Sequence, residues 1–569
     1  MAPALPRNGD LADQLDLLAD LSEILGEQSF RVLAYRRAAV RIRETAASVA
    51  GLALQGKAKE LPGIGKTIEA KLVEAVELGE MSALTKRRAE VPDEVASFMH
   101  LPGLGPKTAA RIWRELDVTT IPALREAAEQ GRLRALPGFG QKSEEKILKA
   151  LEQGQAADEP RRGLLGHGLP VVSEVVAALR AHPAAVDVSE AGSVRRRKET
   201  FRDLDVIATA RDPAALTAYF VALPWVLDVV AHGDTKATVI TREGLRLDLR
   251  VVPPESYGDL LQHFTGSKEH NVALREDAQR RGLSVSEYGV TVVETGEVRT
   301  FRDEHELYAF LGYTFIPPEL REDAGELEAA REGRLPVLVE LGDLRGEMHC
   351  HSTWSADGKA TIEEMAVAAR ARDYEFLCLT DHSHYLRDGR LQEQWEQIAA
   401  VNERVQPFRV LRGIEVNIRA DGALDVGDDD LAQLDWVVAS LHTSFDRAPT
   451  ERILAAIESP HVDCIGHLTG RLIARRHGAE VDVEQVVARA AETGTALELN
   501  SQPDRLDLRD VHARLAGEAG VLIPVTTDAH STAALANAEF GIGQARRAWL
   551  TKQQVLNTRT WAQIAGLRR

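Results

Sequence analysis

The 569-residue chain has only three cysteines, Cys350, Cys378 and Cys464. They stand far apart in sequence, so no disulfide framework is expected, in keeping with a reducing compartment. No apolar run is long enough to span a bilayer and no signal-peptide pattern opens the chain, so a cytoplasmic, membrane-free protein is expected. A positive balance is also missing: 69 Lys+Arg stand against 87 Asp+Glu, a net charge of −18. Any polyanionic partner must then be met by local patches or bound cations, not by a global field. The deficit is uneven. Residues 1–162 carry 24 Lys+Arg against 24 Asp+Glu, residues 163–339 carry 20 against 28, and residues 340–569 carry 25 against 35. What is present, 44% hydrophobic and 27% charged residues, describes an ordinary globular chain of about four domains.

The stretch Gly192–Asp205, GSVRRRKETFRDLD, organises the middle of the chain. A Gly-Ser turn follows an apolar strand-like run, and four basic residues, Arg195 to Lys198, come next. Asp203 and Asp205 then lead into the apolar VIATA. Residues two apart on a strand share a face, so these carboxylates aim at one spot. The run LRLDLRVV alternates with period two and places Asp248 in its middle. Three carboxylates on adjacent strands suit two Mg²⁺ ions, which prefer oxygen ligands and keep part of their shell for phosphate. Gly192 lets backbone approach a phosphate, and Ser193 and the arginines offer donors to its oxygens. Taken singly, each piece reads as structure or solvated surface. Taken together, they point to a nucleotidyltransferase.

This order of GS, RR, DxD and a later Asp resembles the palm of the family X DNA polymerases, the group that includes DNA polymerase beta. Residues 263–290, HFTGSKEHNVALREDAQRRGLSVSEYGV, resemble that family's thumb segment. The resemblance implies Asp203, Asp205 and Asp248 as metal ligands, with two Mg²⁺ or Mn²⁺ ions. It implies Ser193 and Arg196 as triphosphate contacts and Phe264 and Gly266 as the sugar-facing turn. Asn271 would be the minor-groove contact to the nucleotide and Arg275 a template-side contact. The chain departs from the beta-type pattern at Arg202, where those enzymes have Gly, and at His263, where they have Tyr beside the sugar. Of Arg195, Arg196 and Arg197, one or two are expected to face DNA or solvent.

The first 150 residues read as helical and hold an internal repeat: LPGIGKTIEAKL at 61–72, LPGLGPKTAARIW at 101–113 and LPGFGQKSEEKIL at 136–148. Each pairs a Gly-x-Gly turn with a new helix, baring backbone amides to a phosphate. The repeat is similar to the helix-hairpin-helix motif, which grips DNA backbone without reading bases. The DNA contacts this implies are Gly63, Gly65, Lys66, Gly103, Gly105, Lys107, Gly138, Gly140 and Lys142. The third repeat also carries Glu144 and Glu145 and reads equally as a structural hairpin. By resemblance to the beta-type lyase domain, Lys71 aligns with a Schiff-base lysine and Tyr35 with its aromatic neighbour. A solvated or phosphate-binding Lys71 is an equal reading.

From residue 344, seven apolar runs alternate with helices, which predicts a (β/α) barrel. His349, His351, Asp357, His382, Glu415, His442, His467, Asp528 and His530 lie at or just past the ends of six of these runs. Barrel strands converge their carboxyl ends on one mouth, and burying such groups unpaired would be costly. The pattern resembles a PHP domain, a seven-stranded metal-dependent phosphoesterase barrel. The resemblance implies one metal on His349, His351, Glu415 and Asp528, a second on Glu415, His442 and His467, and a third on Asp357, His382 and His530. Mixed imidazole and carboxylate donors suit Mn²⁺ or Zn²⁺.

The expected layout is a lyase-like helical domain (1–80), a helix-hairpin-helix domain (81–155), an α+β palm (156–252), a thumb (253–318), a charged connector (319–340) and a (β/α)7 barrel (341–569). Residues 153–168, QGQAADEPRRGLLGHG, read as a linker. The whole resembles a bacterial family X polymerase with a carboxyl-terminal PHP domain. That implies a monomeric gap-filling repair polymerase for dNTPs and gapped, primer-template or 3′-ended DNA, with a 3′→5′ nuclease that also cuts at abasic sites. The rivals are a phosphoesterase of small molecules or 3′ ends tethered by a vestigial polymerase, and a DNA-end scaffold. The repeats count against the first and two complete ligand sets against the second.

Overall fold

A computed structural model describes residues 162–568 and, before them, 5–6, 8–27, 29–45, 48–100, 104, 106–136, 140, 144, 147–148 and 151. The chain divides into two compact units, Met1–Arg161 and Arg162–Arg569. Among the described residues no helix is long and apolar enough to cross a membrane.

The first unit is helical, and its core follows helical spacing. Leu11, Leu15 and Leu18 of Asn8–Ile24 are buried at i, i+4 and i+7 and join Ile42, Leu72 and Phe98. In the first repeat Gly63 takes φ +81°, a conformation side chains rarely adopt. Gly65 is extended at the N-cap of Lys66–Leu78, and left-handed Gly79 ends that helix. The second repeat's helix begins on a proline, Pro106–Leu116, where the missing N–H costs nothing.

The second unit opens with a five-stranded sheet ordered 185–190, 204–210, 246–252, 236–241, 226–232. Only the pair Leu204–Ala210 and Arg246–Val252 is parallel. In Arg246–Val252 burial alternates: Leu247, Leu249 and Val251 enter the core, leaving Asp248 and Arg250 on the other face. Leu165–Arg180 and Pro213–Val221 supply the helical layer, through Val172, Val176, Leu216 and Phe220.

The linker reading fails for residues 163–168. Gly163–Leu164 pairs antiparallel with Thr200–Phe201, and Leu165 starts a 16-residue helix. These glycines serve close approach, not flexibility. A Cβ on Gly163 or Gly168 would stand 2.4 or 2.3 Å from the Phe201 ring, and one on Gly166 2.3 Å from Pro503. Residues 153–161 lie outside the described residues.

The thumb follows: helices Tyr257–Thr265 and Lys268–Arg280, a three-stranded ribbon, and helix Glu304–Phe310. His270 is wholly buried between Glu326 Oε1 (2.6 Å) and the Tyr308 hydroxyl (2.9 Å). The stretch expected as a connector is packed, since Arg321 and Glu326 are 0% exposed.

The last part is a parallel barrel. Strands Gly346–Cys350, Phe376–Leu379, Arg409–Asn417, Trp436–Ser440, Cys464–Ile465 and Ala496–Leu497 pair in that order. The sixth run continues as Leu499–Asn500, which pairs with Val525–Thr526. A parallel bridge from Ala529 to Cys350 joins the seventh run to the first. The seven runs read from sequence are these strand positions.

Candidate active sites

On the palm, Asp205 and Asp248 are register partners on the parallel pair, and Asp203 precedes the same strand. Burial, then Asp248 and Asp203, push the Asp205 carboxyl up to about 6, against the pull of Arg250 and Arg196. Arg246 donates to Asp248 at 3.2 Å, and the Thr238 hydroxyl also donates to it. Gly192 has φ +64°, and a Cβ there would stand 2.5 Å from Asp205 Oδ2. Its glycine is therefore what lets Asp205 close on the turn. Three crowded carboxylates, one forced toward its neutral form, fit hard divalent cations.

The basic run behaves differently from a solvated face. Arg195 donates to both oxygens of Glu304 (2.9 and 2.7 Å) and to the Thr265 hydroxyl (2.6 Å). Arg196 donates from Nε to Glu322 (2.9 Å) and also to the Thr265 carbonyl. Arg197 reaches the Val194 carbonyl at 3.0 Å and Glu190 at 3.6 Å. Against the expectation that one or two of them face solvent, their side chains are only 11–20% exposed. Arg202 is the exposed one, beside Asp203 at 3.1 Å.

Next to this turn, Asn271 donates to the His263 carbonyl (2.8 Å) and accepts from Gln262 (2.8 Å). Arg275 donates to His263 Nδ1 (2.9 Å), which leaves the imidazole proton on Nε2. Burial holds the His263 pKa low; Glu287 opposes this, and Arg275 and Arg250 reinforce it. The Arg250 guanidinium lies 4.5 Å from the Phe264 ring centre. Left-handed Gly266 caps this helix, at φ +62°.

In the barrel all nine expected ligands come together. Glu415, 1% exposed, lies at the centre. His382 Nδ1 approaches it at 2.6 Å, His442 and His467 Nε2 at 3.2 Å each, His349 Nε2 at 3.6 Å and His351 Nε2 at 3.8 Å. Asp528 lies 3.1 Å from His351, and Asp357 lies 3.5 Å from His382 and 3.2 Å from His530. Asp528 holds this place at φ +47°, a strained conformation for a non-glycine residue. Both Glu415 oxygens, His349 Nε2 and His382 Nδ1 are buried without an aligned hydrogen bond. Buried polar atoms rarely stay unpaired, so this donor set fits cations. Among the described residues three overlapping groups can chelate: His349–His351–Glu415, His382–Glu415–His442 and His351–His382–His530.

Sequence reasoning missed the residues behind this ring. Glu498 accepts from His349 Nδ1 (2.6 Å) and the Thr526 hydroxyl (2.5 Å). Asn417 Oδ1 accepts from His442 Nδ1 (2.7 Å). Glu347 is wholly buried, which pushes its carboxyl up to about 7, while the Thr527 hydroxyl donates to it at 2.6 Å. Glu498 and Asn417 fix ring orientation and tautomer. A lone Glu inside the apolar ALELN was the available signal. A cleft of about 440 Å³ opens beside the ring, lined by His382, His384, Asn417, Arg419, His442 and Thr443 among others.

In the first unit, Lys71 sits half-buried on Lys66–Leu78, beside the buried stripe Ile68, Leu72 and Ala75. Tyr35 is buried, which raises its phenol. Gly140 is exposed. Gly103, Gly105, Gly138 and Lys142 lie outside the described residues, as does the Lys107 side chain.

Four family models match the chain: a helix-hairpin-helix domain over residues 6–81, a SAM-like helix-hairpin-helix tandem over 94–153, the DNA polymerase beta thumb over 260–322 and the PHP domain over 347–502. Across 562 residues, 97% of each chain, the sequence is 41% identical to the DNA polymerase/3′-5′ exonuclease PolX of Bacillus subtilis (strain 168). The barrel part alone is 30% identical over 225 residues to a probable phosphatase of Thermoanaerobacter sp. (strain X514), covering 37% of this chain and 89% of that one.

Proposed function

The chain belongs to the family of the DNA polymerase/3′-5′ exonuclease PolX, and on that premise we propose a repair enzyme that fills short gaps and trims 3′ ends with two separate sites. The observation that carries this is a pair of complete donor sets within one compact unit. One is all carboxylate, on the palm; the other is imidazole and carboxylate, in the barrel.

At the palm, Asp203, Asp205 and Asp248 would hold two Mg²⁺ or Mn²⁺ ions. The chemistry such ions would supply there is activation of a primer hydroxyl and neutralisation of triphosphate charge. Ser193 and Arg196 bind the triphosphate, Phe264, Gly266 and His263 face the sugar, Asn271 the minor groove and Arg275 the template side. In the barrel, the nine ligands would hold up to three Mn²⁺ or Zn²⁺ ions, whose chemistry there is hydrolysis of a phosphodiester by activated water. Glu498 and Asn417 keep the imidazoles turned inward. The helix-hairpin-helix turns hold the DNA backbone, through Gly63, Gly65, Lys66, Gly103, Gly105, Lys107, Gly138, Gly140 and Lys142. Lys71 is the candidate Schiff-base lysine. We further assign cutting at abasic sites to the barrel, and a monomeric state to the protein.

The test is a labelled duplex with a one-nucleotide gap, incubated with and without dNTPs and Mn²⁺. Extension by one residue with dNTPs, and shortening without them, support the reading. A gel shift with neither product would make the protein a DNA-end scaffold.

A further inference from the structure

The barrel domain covers the outer side of the basic run that the palm offers to the nucleotide. Its helix Ala538–Arg547, AEFGIGQARR, carries Gly541 and Gly543 in its interior, where glycine weakens a helix. Both permit close approach. A Cβ at Gly541 would stand 1.9 Å from Ser501 Oγ, and one at Gly543 3.1 Å from the Arg197 side chain. Phe540, with Ile473 and Leu506 of the barrel domain, completes the palm's own core.

So placed, the helix delivers two side chains to the run. Gln544 Nε2 donates to the Arg197 carbonyl at 2.7 Å. Arg547, with its side chain 3% exposed, donates from Nη1 to the Arg196 carbonyl (3.0 Å) and to Glu322 Oε1 (2.9 Å). Its Nε and Nη2 hold Asp510 Oδ2 at 2.9 and 2.6 Å. The oxygen that Arg547 shares on Glu322 also receives Arg196 Nε at 2.9 Å. Arg547 therefore grips Arg196 twice, at its backbone and through a common carboxylate. A planar fork can serve three acceptors at fixed angles, which an ammonium cannot.

We propose that Arg547 is a positioning residue of the nucleotidyl-transfer site. From within the barrel domain it fixes the guanidinium of Arg196, and through it the affinity for the dNTP. The proposal rests on the assignment of Arg196 to the triphosphate. Without Arg547, Glu322 would act on Arg196 and Lys198 alone, and the Arg196 carbonyl would lose its donor.

The experiment uses the full chain, a one-nucleotide gapped duplex and steady-state dNTP incorporation. Arg547→Ala should raise the KM for dNTP about tenfold, as expected from losing a charge-assisted hydrogen bond, with kcat within about threefold. Arg547→Lys should recover part of the loss. In an Arg196→Ala background, Arg547→Ala should add less than about twofold, because both act along one path. Shortening of 3′ ends, assayed without dNTPs in the same preparation, should persist and report a folded barrel. If Arg547→Ala does not fold, Arg547→Met/Asp510→Asn removes the pair without leaving Asp510 as an unpaired buried charge, and the same KM rise is expected. An unchanged KM in either folded variant, or full additivity with Arg196→Ala, would overturn the proposal. A wild type that adds no nucleotide would instead overturn the polymerase reading itself.

Discussion

Asp205 and Asp248 stand side by side, register partners on neighbouring parallel strands. Burial and its acidic neighbours raise Asp205 to about 6, so stability is lost as pH rises from about 4, the unfolded value, through 6. In EDTA at pH 8, Asp205→Asn should be more stable than wild type by about 1 kcal/mol or more. Excess Mn²⁺ should reverse the order, since binding at 100 times Kd adds ~2.7 kcal/mol to the form that binds. Thermal melts with and without Mn²⁺ check this; the same order in both would deny a cation at this pair.

Glu498 should matter to the barrel's metals although it is not expected to touch them. It accepts from His349 Nδ1 at 2.6 Å, so Glu498→Gln loosens that ring. Metal affinity should fall about 10–100-fold. Calorimetric titration in an Asp203→Ala/Asp205→Ala background isolates the barrel. Unchanged affinity would make Glu498 merely a satisfied core residue.

His263 gives a selectivity prediction. Its imidazole is held by Arg275 at 2.9 Å, on the residue that stands where the beta-type enzymes have Tyr beside the sugar. A tyrosine would place a larger ring there. His263→Tyr should improve discrimination against ribonucleotides by about tenfold, a steric difference of ~1.4 kcal/mol. The ratio of kcat/KM for rNTP and dNTP measures it, and equal ratios in both forms would remove the idea.

Asp259, 1% exposed, accepts a hydrogen bond from the Phe301 amide at 2.8 Å. Burial pushes its carboxyl up to about 7, against about 4 when unfolded. The folded chain thus keeps a proton that the unfolded chain releases. This contribution to stability is full below about pH 4 and is lost as pH rises toward 7, at ~1.4 kcal/mol per unit. Asp259→Asn mimics the protonated group and escapes the loss. In urea unfolding the variant should therefore gain on wild type between pH 5 and pH 8, whereas a constant difference would contradict the shift.

Local patterns carried much of this fold. The alternation around Asp248 placed it on the open face, and strand ends marked by His or acid outlined the barrel mouth. Partners distant in sequence were not legible. The ion-pair partners of Arg195 and Arg196 hid in this way, since Glu304 and Glu322 lie 109 and 126 residues away. Glu498 hid for the same reason, 149 residues from His349. Gly163 and Gly168 were misread as linker because glycine marks flexible chain and close packing alike; only Phe201 decides between them.

The central claim is that one chain performs two reactions at two sites. The most direct measurement is a single labelled gapped duplex given to Asp203→Ala and to His349→Ala, each with and without dNTPs in Mn²⁺. Asp203→Ala should lose extension by ~10³-fold or more, as expected for removal of a group serving the transition state, and keep 3′ shortening within about twofold. His349→Ala should show the reverse. Loss of both activities in a folded Asp203→Ala protein would mean that one site performs both reactions.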